Sequence, residues 1–570
     1  MTARRTHARR VRTAVAAAAV VASLLAVAAV SRGTHAPAHA AALRPARVQL
    51  LGRLRADSPV RFDVNLRMRE GALRAFLRDV QGPASADFHH YLSPAAFGAR
   101  FGLSRSDETR VESLLSNAGL RVTASYPQRT SLAVQGVAGA VGQLFGTVLN
   151  EYRDVTGRRF HAPSPDPMIP AALRGLVSGI TGLSSRAVAQ PQDIPTNGMG
   201  PQDLEKAYDI GPLHSQGING EGQTIAVYTQ GSFSNSDVDG FARTFGISGP
   251  RPEHRSVDGG TTDTTGGGAE EDALDLDTLR AVAPQARLIN YEVPESGGLS
   301  SFATSLADVV NRVVQDGEAN IISISYGVCD VATVGGQGFL PTPERLAGER
   351  AFQAAAAAGI SIFVSSGDGA AFACQHFIPS DVEVTGGWPG DSPSVISVGG
   401  TFLNVRSDGT YLNEAGWSNP MSRWGGGGGL NPIEARPPWQ VGPGVQNSAS
   451  NGKRQFPDVS ADADSATGYQ VFFGGNTQRI GGTSGSCPFW AGVMALASEL
   501  AQKNGAGKLG FIDPVLYQLA ATPQPFPPYH DVTRGSNLFY PATQAWDYAT
   551  GLGSPDAFNL ARDIVAALKQ

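Results

Sequence analysis

The sequence predicts an α/β fold with a buried parallel sheet, preceded by a smaller α+β unit. From about residue 203 onward, short apolar runs alternate with stretches of helical pattern. These apolar runs are continuous, which is typical of parallel strands covered on both faces. Residues 48 to about 185 instead mix alternating strand patterns with a helix pattern, which indicates a separate α+β unit.

The first unit contains recognisable strands and one helix. "VRFDVNLRM" (60–68) alternates apolar and polar residues and predicts a strand, as does "RTSLAVQG" (129–136). "DETRVESLLSNAG" (107–119) begins with acidic residues and ends at glycine, as helices do. Residues 184–202 have little periodicity and several Pro, Gly and Asn residues, so we expect a linker that is open to proteolysis.

The second unit should form the parallel sheet. Helices are predicted over 300–316 and 342–358, between five apolar strands at 223–230, 286–293, 320–327, 361–368 and 394–401. Ligands bind at the carboxyl ends of such strands. That rule places Tyr326, Gly327 and Asp368 at the mouth of a site.

The N-terminus predicts export. A basic stretch and the apolar run "TAVAAAAVVASLLAVAAV" precede a small-x-small "AHA" that ends at Ala40, so residues 1–40 are expected to be a signal peptide. An uncleaved membrane anchor is the alternative, because the run reaches spanning length. We therefore expect a secreted protein without membrane association once the signal is removed. The net charge of -5 shows no excess of basic residues that would favour binding to nucleic acid.

The three cysteines fit an oxidising compartment. Cys329 and Cys374 each follow a predicted strand end, so we expect them to pair, with free thiols as the alternative. Cys487 is expected to stay unpaired.

"GGTSGSCPFW" (481–490) has the setting of a nucleophilic serine, with a glycine turn, a hydroxyl and the start of a helix. A serine needs a neighbouring base. No histidine of the second unit stands in the sequence setting of a catalytic one; the four are His214, His254, His376 and His530.

Carboxylates offer another base. Residues 266–284 predict a helix on which Glu271 and Asp275, four apart, share one face. Two close carboxyls separate their pKa values, and such a base works best in acid. Asp368 in "SSGDG" could stay protonated in acid and donate to an oxyanion. The alternatives are ordinary acidic residues at a helix start and a turn aspartate.

In this order, "FHHYLSPAAFGARFG" (88–102), "GPQDLEKAYDI" (200–210), "EDALDLD", "SISYG", "SSGDG" and "GGTSGSCPFWAG" resemble the serine-carboxyl peptidases of the sedolisin and kumamolisin family. The resemblance implies an activation prodomain over 41–183 with a ferredoxin-like fold. It also implies a linker or processing region over 184–202 and a subtilisin-like catalytic domain over 203–570.

By resemblance, Ser484 rather than Ser486 is the nucleophile, Glu271 the general base and Asp275 its support. Asp368 would be the oxyanion acid, together with the backbone N–H of Ser484. Three neighbouring carboxylates compete for the acidic roles: Glu270, Asp272 and Asp277.

Two departures from the family stand out. The glutamate with which some relatives extend the acidic chain is missing from "VYTQGS" (227–232), and Tyr326 stands where many relatives have Trp.

The C-terminal "HDVTRG" and "ATQAWDYATGLGSP" resemble the family's calcium segments. One structural Ca²⁺ ion is implied, held by the carboxylates of Asp531 and Asp547 and the carbonyls of Val532, Thr543 and Ala545. Without the resemblance, these would be two unrelated loop aspartates. The glycine run that begins after Trp424 is expected to bring backbone near the substrate cleft.

The resemblance implies a monomeric, self-processing zymogen with an acid-active endopeptidase domain that acts on proteins or peptides. Its own prodomain would be chaperone and inhibitor, and acid would weaken that contact. A tripeptidyl-peptidase, a histidine-dependent subtilisin-like hydrolase and a non-catalytic exported binding protein are the alternatives.

Overall fold

The computed structural model describes residues 49–82, 85–153, 159–185, 190–191, 194–196, 198–295, 299–330, 342–375 and 383–569. The expected signal peptide, residues 1–40, and His376 lie outside these ranges. The first elements are β1 (Gln49–Arg53), β2 (Pro59–Leu66), α1 (Glu70–Gln81), α2 (Pro94–Arg100), α3 (Arg105–Asn117), β3 (Arg121–Ser125), β4 (Ser131–Val137), α4 (Ala138–Phe145), β5 (Leu149–Arg153), β6 (Arg159–Pro163) and β7 (Val177–Thr181).

The N-terminal unit has the ferredoxin-like arrangement that was expected. Its antiparallel sheet has the order β3-β4-β2-β7, and the chain follows the pattern β2, helix, β3, β4, α4, β7. The alternation in β2 buries Phe62 and Val64 against Leu115 of α3 and Phe145 of α4. Ser104 fixes the start of α3, because its hydroxyl accepts the backbone N–H of Asp107 at 3.1 Å.

The region that was expected to be a linker contains two short strands, β8 (Gln190–Pro191) and β9 (Ile194–Thr196). The chain then continues with α5 (Pro201–Ala207), α6 (Gly211–Ser215), β10 (Thr224–Thr229), α7 (Asn235–Phe245), β11 (Glu253–Ser256), α8 (Gly267–Val282), β12 (Arg287–Glu292), α9 (Leu299–Asp316), β13 (Ile321–Ile324) and β14 (Tyr326–Cys329).

The remaining elements are α10 (Pro343–Ala357), β15 (Ser361–Ser365), β16 (Gly387–Trp388), β17 (Ile396–Val405), β18 (Tyr411–Gly416), β19 (Ser418–Asn419), β20 (Trp424–Gly425), β21 (Gly429–Ala435), β22 (Lys453–Phe456), β23 (Val459–Asp462), β24 (Tyr469–Phe473), β25 (Asn476–Gly481), α11 (Thr483–Lys503), α12 (Asp513–Ala521), β26 (Tyr529–His530), β27 (Ser554–Pro555) and α13 (Ala557–Leu568). Within the described ranges, no helix is both long enough and apolar enough to cross a membrane.

The central sheet confirms the predicted α/β fold. Its strand order is β11-β12-β10-β13-β15-β17-β18, and β23 also pairs with β17. The pairs from β11 to β17 are parallel, and only β18 joins antiparallel at the described edge. All five predicted apolar strands are present, and both predicted helices correspond to α9 and α10.

Two apolar cores cover the two faces of this sheet. Ile225 and Val227 of β10 pack with α8 and α11, whereas Ala226 and Tyr228 pack with α9 and α10. Because successive side chains of a strand point to opposite faces, one apolar run serves both cores. This arrangement buries α8 and α11, the two helices that carry the candidate acid and hydroxyl residues.

The N-terminal unit contacts α9 and α10 of the α/β unit. The hydroxyl of Tyr126 donates to Asp308 of α9 at 2.8 Å, and Arg350 of α10 forms an ion pair with Glu70 at 2.6 Å. Phe76, Phe97 and other apolar side chains of α1 and α2 pack against alanines of α10. The contact therefore combines an apolar patch with buried carboxyl groups.

Candidate active site

The helix α8 buries the predicted acidic pair. Glu271 and Asp275 both have 0 % of their surface exposed, because α8 packs against the sheet and against its neighbour α11. Both side chains are therefore shielded from solvent, and only Glu270 is an acidic residue of the first turn of α8. Burial raises the pKa of Asp275 well above its usual range, and a hydrogen bond from Ser325 opposes the rise.

Ser484 lies in the first turn of α11, where the chain leaves β25 through a glycine turn. Gly482 has φ 123°, a conformation that L side chains rarely adopt, so the turn requires glycine. Ser484 is fully buried, and its hydroxyl lies 3.4 Å from the carbonyl oxygen of Ser325. Its backbone N–H belongs to the group that helix starts leave without a helical partner.

A second hydroxyl joins Asp275 to the nucleophile's backbone. Ser325 donates to Asp275 Oδ1 at 2.6 Å, and its hydroxyl also lies 3.3 Å from the carbonyl of Ser484. That carbonyl is available because Pro488, four residues along α11, has no N–H to donate to it. Burial, together with the charges of Asp275 and Glu271, raises the pKa of Cys487 to about 12 against hydrogen bonds with Ser323 and the Ile324 carbonyl.

Asp368, in the loop that follows β15, contacts the same start of α11. Its Oδ1 accepts the backbone N–H of Thr483 at 2.8 Å and the Thr483 hydroxyl at 2.7 Å. The glycine run supports its loop, since Gly425 N donates to the Asp368 carbonyl at 3.0 Å. A Cβ at Gly427 would lie 2.0 Å from Ser366 O, so only glycine allows this approach. The run packs on the Asp368 loop, consistent with the expectation that it lies near the cleft.

The three competing carboxylates bond elsewhere. Gln478 donates to Glu270 at 2.9 Å, Asn290 donates to Asp272 at 2.8 Å, and the backbone N–H of Phe472 donates to Asp277 at 2.8 Å. The structure thus brings Asp275 and Asp368 to Ser484 through Ser325 and Thr483. Sequence reasoning missed both bridging hydroxyls, although each lies inside a quoted motif.

Asp272 begins a chain of polar contacts that ends at His254. Asn290 donates to Asp272 and lies 3.3 Å from Glu292, which bonds His254 at 2.6 Å. Tyr326, which stands where many relatives have Trp, is buried. Its hydroxyl lies 3.4 Å from Gly268 O and 3.5 Å from Gln230 N. Tyr326 thus packs beside the start of α8.

The described histidines have other partners. His214 bonds the carbonyl of Val282 at 3.0 Å and His254 bonds Glu292. His530 stacks on Tyr411 with ring centroids 3.6 Å apart, and burial lowers its pKa to about 4. These contacts argue against a histidine base at Ser484 among the described residues.

The expected disulfide is present. Cys329 at the end of β14 pairs with Cys374, in the segment that follows Asp368, and Cys487 is a buried free thiol. The bond therefore connects the strand that follows Ser325 to the Asp368 loop.

The two predicted calcium carboxylates contact one turn. Asp531 accepts the backbone N–H of Ala545 at 3.0 Å, and Asp547 accepts that of Thr543 at 2.6 Å. Burial raises the pKa of Asp547 to about 6 although three backbone N–H groups oppose the rise. The buried Asp547 and the exposed Asp531 thus bond backbone N–H groups of the same turn, and carboxylate oxygens are donors that calcium accepts. In the described part of the chain, no group of three or more His, Cys, Asp or Glu side chains could hold a metal ion.

Comparisons with known proteins agree with this arrangement. Residues 46–186 match the family "Pro-kumamolisin, activation domain" and residues 243–509 match the subtilase family. Kumamolisin of Bacillus sp. (strain MN-32) is 30% identical over 517 residues, which cover 84% of this chain and 87% of that protein. The chain belongs to the sedolisin and kumamolisin family of serine-carboxyl peptidases.

Within this family, the chain is also similar to a solved structure and to an exopeptidase. Pseudomonas sedolisin, solved with two molecules of pseudo-iodotyrostatin, aligns with a TM-score of 0.55 at 29% identity, covering 64% of this chain and 98% of sedolisin. Tripeptidyl-peptidase sed5 of Aspergillus fumigatus is 27% identical, covering 88% of this chain and 92% of that protein. The family resemblance and the subtilisin-like fold inferred from the sequence are confirmed.

Proposed function

We propose that this serine-type peptidase is an exported, monomeric, acid-active endopeptidase, made as a zymogen that removes its own N-terminal unit. One observation supports the proposal above the others. Ser325 joins Asp275 to the start of α11 and Thr483 joins Asp368 to it, beside Ser484. Buried carboxyls bonded at the start of α11, with the described histidines of the α/β unit in other contacts, fit acid rather than imidazole catalysis.

In the first half of the reaction, Glu271 takes the proton of the Ser484 hydroxyl while Oγ forms a bond to the substrate carbonyl carbon. The negative charge that develops on the carbonyl oxygen receives hydrogen bonds from the acid form of Asp368 and from the Ser484 N–H. The C–N bond then breaks, and the leaving nitrogen takes the proton held by Glu271. Asp275 lies one turn along α8 and orients the glutamate.

In the second half, Glu271 takes a proton from water while the water oxygen attacks the acyl carbon. The ester bond to Ser484 breaks, and the serine oxygen regains its proton from Glu271. The peptide acid leaves. Ionisation of Asp368 would remove the oxyanion donor, so activity should fall as the medium becomes neutral.

The decisive experiment measures cleavage of an acid-denatured protein from pH 2 to 8, with mass spectrometry of the products. The expected result is internal cleavage with an acidic optimum, absent from Ser484→Ala, whose precursor also stays uncut. An alkaline optimum, or turnover by Ser484→Ala, would refute the proposal.

A tripeptidyl-peptidase is the second candidate, because sed5 covers nearly the whole chain. The product masses separate the two functions. Successive tripeptides released from a free N-terminus, and none from an N-acetylated substrate, would identify the exopeptidase.

Calcium would have a structural role in this proposal. Asp531 and Asp547, with the carbonyls of Val532, Thr543 and Ala545, would supply an oxygen shell that ties two C-terminal loops together. An ion that binds only the folded state at a hundred times its Kd stabilises that state by about 2.7 kcal/mol. We expect a chelator to lower the Tm of the wild type but not of Asp547→Asn. An unchanged wild-type Tm would contradict the site.

A further inference from the structure

Asn537 lies in the loop that connects β26 to β27 and takes no part in the proposed proton transfers. It is buried, with 1 % of its surface exposed. Its own turn is closed locally, because the side-chain Oδ1 accepts the backbone N–H of Tyr540 at 2.9 Å, and the backbone N–H of Asn537 donates to the Tyr540 carbonyl at 3.1 Å. The side-chain amide and the backbone carbonyl of Asn537 bond outside this turn.

Both of these groups contact the backbone that supports Asp368. The carbonyl of Asn537 accepts the N–H of Ala371, three residues beyond Asp368, at 3.1 Å. The side-chain amide lies 3.4 Å from the carbonyl of Gly428 and donates to the carbonyl of Tyr548 at 3.1 Å. One buried residue thus bonds both the segment that follows Asp368 and the glycine run.

The glycine run carries the backbone of the Asp368 loop. Gly425 N donates to the Asp368 carbonyl at 3.0 Å, and Ala370 N donates to the Gly425 carbonyl at 2.8 Å. A Cβ at Gly428 would lie 1.9 Å from the carbonyl oxygen of Tyr548, so the run lies directly on the segment that Asn537 bonds. Asn537 therefore closes a connected set of backbone contacts around the Asp368 loop.

The conformation of this loop needs outside support. Ala370 has φ 54°, in the left-handed region that alanine seldom adopts. A residue in such a conformation persists only where surrounding contacts fix it. Of the two N–H groups that flank its Cα, that of Ala370 donates to Gly425 and that of Ala371 donates to Asn537. Loss of the second support should let the loop relax and move the Asp368 carboxyl.

We propose that Asn537 is a positioning residue of the reaction, which holds the Asp368 loop against the glycine run and so keeps the Asp368 carboxyl at the start of α11. This inference rests on the proposed function, in which the acid form of Asp368 donates to the oxyanion, and adds a residue that acts through Asp368. A donor stabilises the oxyanion only at hydrogen-bond distance from the developing charge, and a displacement of about 1 Å can cost about 10² in rate.

The first test separates positioning from folding. Asn537→Ser keeps a hydroxyl that can accept the Tyr540 N–H within the turn, but it is too short to reach the carbonyls of Gly428 and Tyr548. At the pH of highest activity, kcat should fall roughly ten- to a hundredfold. KM should change little, because a misplaced oxyanion donor weakens the transition state rather than the bound substrate.

Asn431 provides the matched control for the loss of a buried amide. It is fully buried, its Oδ1 accepts the backbone N–H of Ile433 at 2.7 Å, and its amide donates to the carbonyl of Asp391 at 3.0 Å. Asn431→Ser should lower the Tm about as much as Asn537→Ser does but leave kcat near normal. Equal kcat losses in the two variants, or a wild-type kcat in Asn537→Ser, would overturn the inference.

The second test is a double-mutant cycle with Asp368→Ala. If Asn537 acts through Asp368, Asn537→Ser should lower kcat in the wild-type background but not in Asp368→Ala, whose donor is already absent. Losses that simply multiply would overturn the inference and leave the proposed function intact. A wild-type kcat in Asp368→Ala alone would instead refute the oxyanion donor of the proposed function, and this inference with it.

A second variant covers the case in which Asn537→Ser does not fold. Asn537→Asp keeps the shape of the side chain and its acceptor for Tyr540, but it has at most one proton for the two carbonyls of Gly428 and Tyr548. It goes through the same cycle with Asp368→Ala. A kcat loss confined to the background that retains Asp368 supports the inference, and an equal loss in both backgrounds overturns it.

Discussion

Carboxyl groups are buried in two regions of this molecule, the cleft around Ser484 and the contact between the N-terminal unit and α9. In the cleft, Asp275 and Asp368 each accept a hydrogen bond from a serine or threonine hydroxyl next to the nucleophile. At the contact, Asp308 accepts from Tyr126, and Asp63 lies across the interface. The cleft belongs to one unit, whereas the contact is divided between two.

The contact cluster consists of Arg61, Asp63 and Tyr126 on the N-terminal unit and Asp258 and Asp308 on the α/β unit. Burial raises the pKa of Asp63 and of Asp308 well above the usual range, and Asp258 adds to both rises. Asp63 adds to the rise at Asp308, whereas a hydrogen bond with Asp308 opposes the rise at Asp63. Burial also raises the pKa of Asp258, against the opposing charge of Arg61. Acidic groups with raised pKa values hold protons in the contact and release them when exposed.

The difference shows that one physical effect, desolvation of carboxyls, serves two purposes. In the cleft, desolvation would keep carboxyl groups in the acid form for proton transfer. At the contact, the raised pKa values predict that the association of the two units depends on pH. The raised pKa values at this cluster predict the opposite of the expectation that acid weakens the contact, and that expectation stays a prediction.

The largest effect should come from the cleft carboxyl on α8. Glu271→Gln cannot take the Ser484 proton, so kcat should fall by about 10⁴ or more. Its neighbour Glu270 bonds Gln478 instead, and Glu270→Gln is the matched control with near-normal kcat. Steady-state kinetics at the acidic optimum measure both. If the two variants lost activity equally, the base would have to be reassigned.

A smaller loss is expected at Asp368. Asp368→Ala removes the oxyanion donor and should lower kcat by about 10² to 10³ with little change in KM. Asp368→Asn keeps an acceptor for Thr483 and an amide donor that does not ionise. It should retain more activity than the alanine variant, with a flatter decline toward neutral pH. Identical pH profiles for wild type and both variants would limit Asp368 to capping α11.

The smallest effect is expected at the contact cluster, as a change in how the free energy of unfolding depends on pH. Asp63 and Asp308 have raised pKa values, so their contribution to stability is complete below about pH 4 and is lost as pH rises toward those values. In an uncleavable Ser484→Ala precursor, the free energy of unfolding should fall as pH rises above about 4. Adding Asp308→Asn should reduce this slope by up to about 1.4 kcal/mol per pH unit.

Asp316, on the same helix, provides the control. Burial opposes ionisation there, but hydrogen bonds from Arg312 and Arg255 hold the pKa of Asp316 below its usual range. Its contribution is therefore lost only in stronger acid, and Asp316→Asn should leave the slope above pH 4 intact. Urea unfolding at several pH values measures all three precursors. An unchanged slope in the precursor that carries Asp308→Asn would show that the contact cluster does not cause the pH dependence of stability.

Much of the fold could be predicted from sequence because its signals are local. Runs such as "QTIAVYTQ" are apolar throughout, and their burial on both faces follows directly. The carboxyls of α8 and Ser484 were found because a helix period and a glycine turn mark their positions. The roles of these residues were suggested by resemblance and stay proposals.

The remainder depends on contacts between distant parts of the chain. Ser325 joins Asp275 to Ser484 only because the end of β13 lies beside α8 and α11, and no local pattern encodes that. Asp308 contacts Tyr126 across 182 residues. The strands of the linker were missed for the same reason, since β14 and β25 supply the edges that β8 and β9 pair with.

The disulfide has a consequence for kinetics. It fastens the end of β14, the strand that directly follows Ser325, to the segment that follows Asp368. Under the proposed roles, a reducing agent would loosen the support of Asp275 and of the oxyanion donor in a single event. Turnover would then decline as the bond is reduced, so oxidative maturation would set the rate of the proposed reaction.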